Sequence, residues 1–194
     1  MKRLFDIVFS FLGLIFITPI LLIIIILMLL TSKGPILYKQ IRVGKNNKDF
    51  KILKFRTMYV NADRLGLLTI GGKDPRVTKI GYYLRKFKLD ELPQVVNVFW
   101  GDMSFVGPRP EVRKYVNLYN QEQMQVFKIR PGITDLASIE FRNESEFLSN
   151  QEDPDNYYIN VIMPKKLQIN LDYLKDRTLI KDIGIILKTL KAIT

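Results

Sequence analysis

The sequence predicts a mainly helical α+β fold: an N-terminal helix held in lipid, one small β-hairpin, and a series of helices amphipathic enough to lie on a membrane surface. Three observations predict it. The 26 residues from Ile7 to Ser32 carry no charge. Two β-prone tracts flank the turn-forming Gly44-Lys45-Asn46-Asn47, and from Val77 onward apolar residues recur at helical spacing. With 194 residues the chain has room for one compact domain beside the apolar segment, but not for two independent cores. The expected division is 1–32 for the membrane helix and 33–194 for the folded domain.

The first element exceeds the ~20 apolar residues that span a bilayer. A cleaved signal peptide fits it poorly, because the run is longer than the roughly 7–15 residues of such a core and Thr31-Ser32-Lys33 offers no small-x-small site. Thr18-Pro19, near its middle, should at least bend the helix. Lys2 and Arg3 precede the run, and Lys33, Lys39, Arg42, Lys45, Lys48, Lys51, Lys54 and Arg56 follow it. Positive residues favour the cytoplasmic side, and here both ends are positive. Two dispositions remain: a bent single span, or a re-entrant helix that breaks at Pro19 and returns to the face it entered.

Gly34-Pro35 then breaks the chain, and Ile36 to Val43 and Phe50 to Met58 read as two strands of a hairpin. Its lysines are expected against the membrane, where each basic residue near an anionic surface contributes about 1 kcal/mol. Val77 to Phe87 and Glu91 to Trp100 have helical spacing, the second stopping at Gly101. Pro110-Glu111 is expected to open a helix running to about Lys128, ended by Pro131-Gly132. The acidic stretch Glu140 to Asp155 reads as loop or surface turns, and Pro154 as a further helix start. Thr178 to Ile193 is amphipathic: Leu179, Ile183, Ile186, Leu187 and Leu190 oppose Lys181, Asp182, Lys188 and Lys191. Such a helix covers a core or lies on a membrane interface.

Lys and Arg total 30 against 19 Asp and Glu, a net charge of +11, so an anionic partner is expected: nucleic acid, anionic lipid or a phosphorylated substrate. The chain has no Cys and no His. That excludes thiol nucleophiles, disulfides, Cys-based zinc sites and the commonest general base. Chemistry must run on carboxylates, hydroxyls, Lys, Arg or an oxygen-ligated metal.

The densest chemical cluster is Leu84-Arg85-Lys86-Phe87-Lys88-Leu89-Asp90-Glu91-Leu92-Pro93-Gln94, followed after one helix by Gly107-Pro108-Arg109-Pro110. Asp90 stands where a helix N-cap is expected, with Pro93 in the first turn, so the helix dipole should help keep it ionised. An ionised Asp is a usable nucleophile toward phosphorus. Arg85 and Arg109, the latter stiffened by two prolines, can offer planar forks to a diphosphate. Glu91 can take Mg²⁺, which accepts a few carboxylates and completes its shell with substrate phosphates. A lone Asp-Glu pair more often caps and decorates a helix; the surrounding cations shift the balance.

Six tracts together resemble the bacterial sugar transferase family, the monotopic phosphoglycosyl transferases. They are Gly34 to Gln40, Phe50 to Met58, Asp74 to Thr78, Leu89 to Gln94, Gly101 to Pro110 and Pro131 to Thr134, in that order over nearly the whole chain. The resemblance implies a small enzyme anchored by a re-entrant helix broken at Thr18-Pro19, its catalytic domain on the cytoplasmic face of the bacterial inner membrane. By the family pattern Asp90 is the nucleophile and Glu91 its Mg²⁺-associated partner, the two forming the metal site. Arg85 and Arg109 bind substrate phosphates. The implied donor is a UDP-sugar and the acceptor undecaprenyl phosphate; a covalent phosphosugar-aspartate forms, UMP leaves, and surface-glycan synthesis begins. Membrane lipid is an implied partner, and a homodimer is left open. Thr18-Pro19 departs from the family's frequent Ser-Pro, and Asp135-Leu136 from Gly-Trp, the latter expected near the donor sugar or membrane surface. The lack of the larger members' extra membrane domain points to the minimal form. Against a nucleic-acid-binding module, no such motif emerges, and the charge concentrates beside the apolar run, where lipid is the nearest anion.

Overall fold

In a computed structural model describing residues 1–62 and 74–193, the uncharged run forms one helix, α1 (Lys2–Thr31), with Pro19 inside it. Proline removes the donor that would meet the Ile15 carbonyl. The Thr18 hydroxyl donates instead to the neighbouring Leu14 carbonyl at 2.5 Å. Most of the helix surface is bare apolar side chain, with Phe16 and Leu30 77% and 79% exposed.

Its two ends nevertheless rest on the same folded body. At the start, Arg3 donates to the Val98 and Phe99 carbonyls at 2.6 and 2.8 Å, and Asp6 accepts from Ser104 at 3.0 Å. At the finish, Ile24 and Met28 pack with Phe55 and Leu84, and Arg56 donates to the Ser32 hydroxyl at 2.8 Å.

The hairpin forms as expected, from β1 (Leu37–Val43) and antiparallel β2 (Asp49–Phe55), around a turn in which Asn46 and Asn47 both have positive φ. Its register divides the basic residues. Tyr38 pairs with Lys54 and Arg42 with Phe50, so Arg42 and Lys54 share one face, while Lys39 and Lys51 lie on the other. The basic residues of the hairpin are therefore split between its two faces.

α2 (Lys79–Lys86) starts at Thr78, whose hydroxyl accepts from the Gly81 N–H at 3.0 Å. A Cβ at Gly81 would stand 2.0 Å from the Thr57 carbonyl oxygen, so glycine is what lets α2 press onto this segment. α3 (Gln94–Trp100) ends at Gly101, φ 98°. Asn97 ties it to the hairpin, accepting from Leu53 N and donating to the Lys51 carbonyl, both at 2.9 Å.

A second sheet was not expected: β3 (Ser104–Val106) runs parallel to β4 (Gly132–Thr134). Gly107 and Gly132 let the chains cross closely, since a Cβ on either would meet the other's backbone within 3.1 Å or less. Between them the long helix expected from Pro110 to Lys128 is replaced by the single turn α4 (Arg113–Val116) and a 3-10 turn over Gln123–Lys128. Asn120 and Gln123 exchange side-chain-to-backbone hydrogen bonds, both at 2.9 Å, and restart the chain there.

The acidic stretch is likewise more structured than a loop: α5 (Leu136–Glu140) runs into it, and α6 (Glu144–Ser149) lies within it. α7 (Pro154–Tyr157) begins at the expected proline and continues through a widened π turn into α8 (Met163–Lys175). Tyr158, Met163, Leu167 and Leu171 from this run form a core with Tyr115 and Leu148. α9 (Leu179–Ile193) buries Asp182 and Ile185, while Ile180, Leu187 and Leu190 are 82%, 60% and 59% exposed. Most of its apolar stripe therefore faces outward instead of covering a core.

Candidate active site

Lys88, with φ 55°, turns the chain sharply after α2 and opens a 3-10 turn, Leu89–Glu91, that leads through Pro93 into α3. A non-glycine residue held there costs about 1–3 kcal/mol. The turn aims two successive carboxylates at a cavity of about 750 Å³, also lined by Arg42, Lys54, Arg85 and Arg109. All four sequence-predicted polar groups thus meet at one place.

The two carboxylates are treated differently. Asp90 is 8% exposed, and its carboxylate meets no hydrogen-bond donor among the described residues. Burial, then the adjacent Glu91 charge, push its pKa up. The expected N-cap role is corrected: α3 begins at Gln94, three residues past the turn, and burial outweighs any help from a helix dipole. Glu91 is clamped instead. Lys54 Nζ donates to Oε1 at 2.9 Å, Arg109 Nη1 to Oε2 at 3.3 Å, and Arg109 Nη2 also to Oε1. Burial works against this charge, yet Arg109 and Lys54 hold its pKa well below the usual range.

Each cation has its own support. Arg85 projects from α2, and its Nε donates to the Thr57 hydroxyl at 2.8 Å. The Arg109 backbone N–H donates to Asp135 at 2.9 Å, and the same carboxylate caps α5 through Ser138 N at 2.6 Å. Asp135, which departs from the family pattern, is therefore a buried support of the Arg109 loop. Sequence reasoning missed Lys54 and Arg42 as cavity residues. The period-two alternation of a registered hairpin carried that signal. Thr18 and Pro19 lie in α1, apart from this cluster.

The donor set fits Mg²⁺. Asp90 offers a carboxylate without a hydrogen-bond partner among the described residues, and Glu91 has roughly four lone-pair sites, of which three contacts are accounted for. Mg²⁺ takes one or two carboxylates together with substrate phosphates and water, so no larger protein cage is required.

The sequence profile described as "Bacterial sugar transferase" matches residues 1–194. A UDP-glucose:undecaprenyl-phosphate glucose-1-phosphate transferase from Klebsiella pneumoniae is 40% identical over 97% of this chain and 39% of its own length. A UDP-N-acetylgalactosamine-undecaprenyl-phosphate N-acetylgalactosaminephosphotransferase from Aeromonas hydrophila is 36% identical over 99% of this chain and 43% of its own. The exopolysaccharide production protein ExoY of Sinorhizobium fredii is 33% identical over 99% of this chain and 84% of its own. The chain thus spans about two fifths of the first two relatives and most of the third.

Proposed function

The chain belongs to the bacterial sugar transferase family, and on that premise we propose that it transfers a phosphosugar from a UDP-sugar to undecaprenyl phosphate. The products are undecaprenyl-diphosphate-sugar and UMP, in the first membrane step of surface-glycan synthesis. The observation that carries this reading is Asp90, a buried carboxylate that no hydrogen bond occupies among the described residues, facing a cavity ringed by cations.

An Asp90 oxygen attacks the phosphorus that bears the sugar. The bond from that phosphorus to the bridging oxygen breaks, and its electron pair leaves with UMP. A phosphate oxygen of the acceptor then attacks the same phosphorus, the bond to Asp90 breaks, and the carboxylate is restored. Arg85 and Arg109 hold the diphosphate, and Glu91 orients the Arg109 fork. Mg²⁺ held by Asp90 and Glu91 would neutralise charge on the departing nucleotide.

The same reading sets residues 1–32 as a re-entrant membrane helix and 33–194 as a catalytic domain lying on the cytoplasmic face of the inner membrane. Support comes from α1, whose two ends touch one folded body. A helix crossing the bilayer would carry them about 30 Å apart across hydrocarbon. The outward apolar stripe of α9 suits the same interface.

The test is intact-protein mass spectrometry of enzyme given UDP-sugar and Mg²⁺ without acceptor. A phosphosugar adduct mapping to Asp90 is expected. Absence of any adduct, with kinetics that require both substrates bound together, would favour direct transfer.

A further inference from the structure

The cavity does not end at the cations. α8 presents Met163, Lys166, Leu167 and Asn170 to its wall, the i, i+3, i+4, i+7 face of a helix. Asn170 is 5% exposed, and its side-chain oxygen is buried with no hydrogen-bond partner. Buried amides are ordinarily bonded, and Leu167 and Leu171 beside it show that an apolar side chain would suit the packing. Lys166 donates to Glu144 at 2.7 Å and stands over the Tyr158 ring at 5.6 Å. This end is joined to the charged end through one chain of contacts. The Tyr158 hydroxyl donates to Glu111, Glu111 accepts from Arg42, and Arg42 donates to the carbonyl of Pro110, next to Arg109.

We propose that Asn170, with the Glu144–Lys166 pair, reads the hydroxyl groups of the transferred sugar. The inference rests on the reading that the donor is a UDP-sugar. Phosphates belong at the end where Arg42, Lys54, Arg85 and Arg109 gather in the lining. This wall pairs the Lys166 cation with the Glu144 carboxylate and adds the neutral amide of Asn170, so it offers both donors and acceptors. A hydroxyl needs both, and a hexose carries several within reach of adjacent partners. A site built to bond a hydroxyl discriminates strongly against a sugar that places it elsewhere, because the buried protein group is then left unpaired.

The experiment uses the full chain in detergent with undecaprenyl phosphate, Mg²⁺ and four donors: UDP-glucose, UDP-galactose and their N-acetylated counterparts. UMP release gives kcat/KM for each, and inhibition by UMP reports the nucleotide end. Asn170→Leu and Glu144→Gln are expected to reduce the preference for the best donor over the poorest by about five- to tenfold. UMP inhibition should be unchanged in both variants, and the thermal midpoint should hold in Asn170→Leu while falling modestly in Glu144→Gln, which loses an ion pair. Glu144→Gln keeps the test alive if Asn170→Leu fails to fold. An equal loss for every donor with weaker UMP inhibition would move this wall to the uracil and overturn the inference. So would an unchanged preference in both variants. No UMP from any donor with wild-type protein would instead overturn the function reading and, with it, this one.

Discussion

Around the cavity, carboxylates and cations are drawn inward. Along α1 and α9 the apolar side chains stand outside, and it is Asp6 and Asp182, each 2% exposed, that are buried. The two regions hold the same chemical group in opposite conditions. Asp6 accepts from Ser104 and from Phe105 N, at 3.0 and 3.3 Å, and Asp182 accepts from Lys2 and the Tyr173 hydroxyl. Both are held by donors from other elements and pin the apolar helices to the domain. Asp90 is also buried, at 8% exposure, but meets no donor among the described residues. A carboxylate's availability, more than its burial, separates the proposed nucleophile from the structural positions.

Asp90→Asn is the hardest test of that contrast. An amide cannot attack phosphorus, so turnover should fall by about 10⁴-fold or more. Stability should move the other way. Because the folded-state pKa of Asp90 is raised, the folded protein holds this proton more tightly than the unfolded chain. Its ionisation therefore costs stability above the folded pKa, and nothing below the unfolded one. The Asn variant should gain about 0.5–2 kcal/mol at neutral pH in denaturant titration. The acid limb of wild-type kcat/KM should lie above the ordinary aspartate range. A less stable Asn variant would mean that the Asp90 charge supports the fold, as that of Glu91 does.

Glu91→Gln should differ in sign. Its depressed pKa means that its charge stabilises the fold above the unfolded carboxylate pKa, a contribution lost as pH falls through the folded value. Removing it leaves the partly buried Lys54 and Arg109 without their counter-charge, a loss of about 1–3 kcal/mol. Turnover should drop about 10²–10³-fold as the Arg109 fork loses its guide. Wild-type activity that survives EDTA would leave Glu91 this orienting role alone.

Much of this contrast was legible in the sequence, and the rest failed for local reasons. The hairpin was readable because alternation and an Asn-rich turn agree. The Asp90–Glu91 cluster stood out by its cations and by resemblance. The Pro110–Lys128 helix was misread because apolar spacing conceals the competing Asn120–Gln123 bonds. β3 and β4 are three residues each, too short to show a period, and their pairing depends on two glycines far apart in the chain. Asp135 could be flagged as unusual, but its partner Arg109 lies 26 positions away. Asn170 left a signal that was not used: an amide at an apolar position of an amphipathic helix.

The outer region is tested next, with smaller expected effects. Thr18→Leu with Pro19→Ala should straighten α1 toward a spanning form and lower activity several-fold. The chain has no cysteine, so Leu4→Cys and Lys45→Cys report topology through an impermeant maleimide. In intact cells both should stay unlabelled, and both should react once the cytoplasm is opened. In the Thr18/Pro19 variant, part of the Leu4→Cys protein should label from outside. Outside labelling of the parent protein would establish a crossing helix.

The smallest effect is expected at α9. Ile180 and Leu187 lie on its outward stripe, and neither belongs to the buried clusters. Against water these exposed side chains would be a liability; against a bilayer interface each contributes up to about 1.5 kcal/mol. Replacing both by Ser removes that contribution without opening a cavity, so the thermal midpoint in detergent should hold. α1 supplies far more apolar surface and keeps the protein on the membrane. The change should therefore appear as a shift in how the domain lies on the lipid, read as faster proteolysis of α9 in vesicles. UMP release should fall two- to threefold in vesicles and stay level in micelles, where no flat interface exists to be matched. An equal fall in both would mean that α9 supports the cavity through Asp182 and Ile185, and that its outward stripe has no lipid partner.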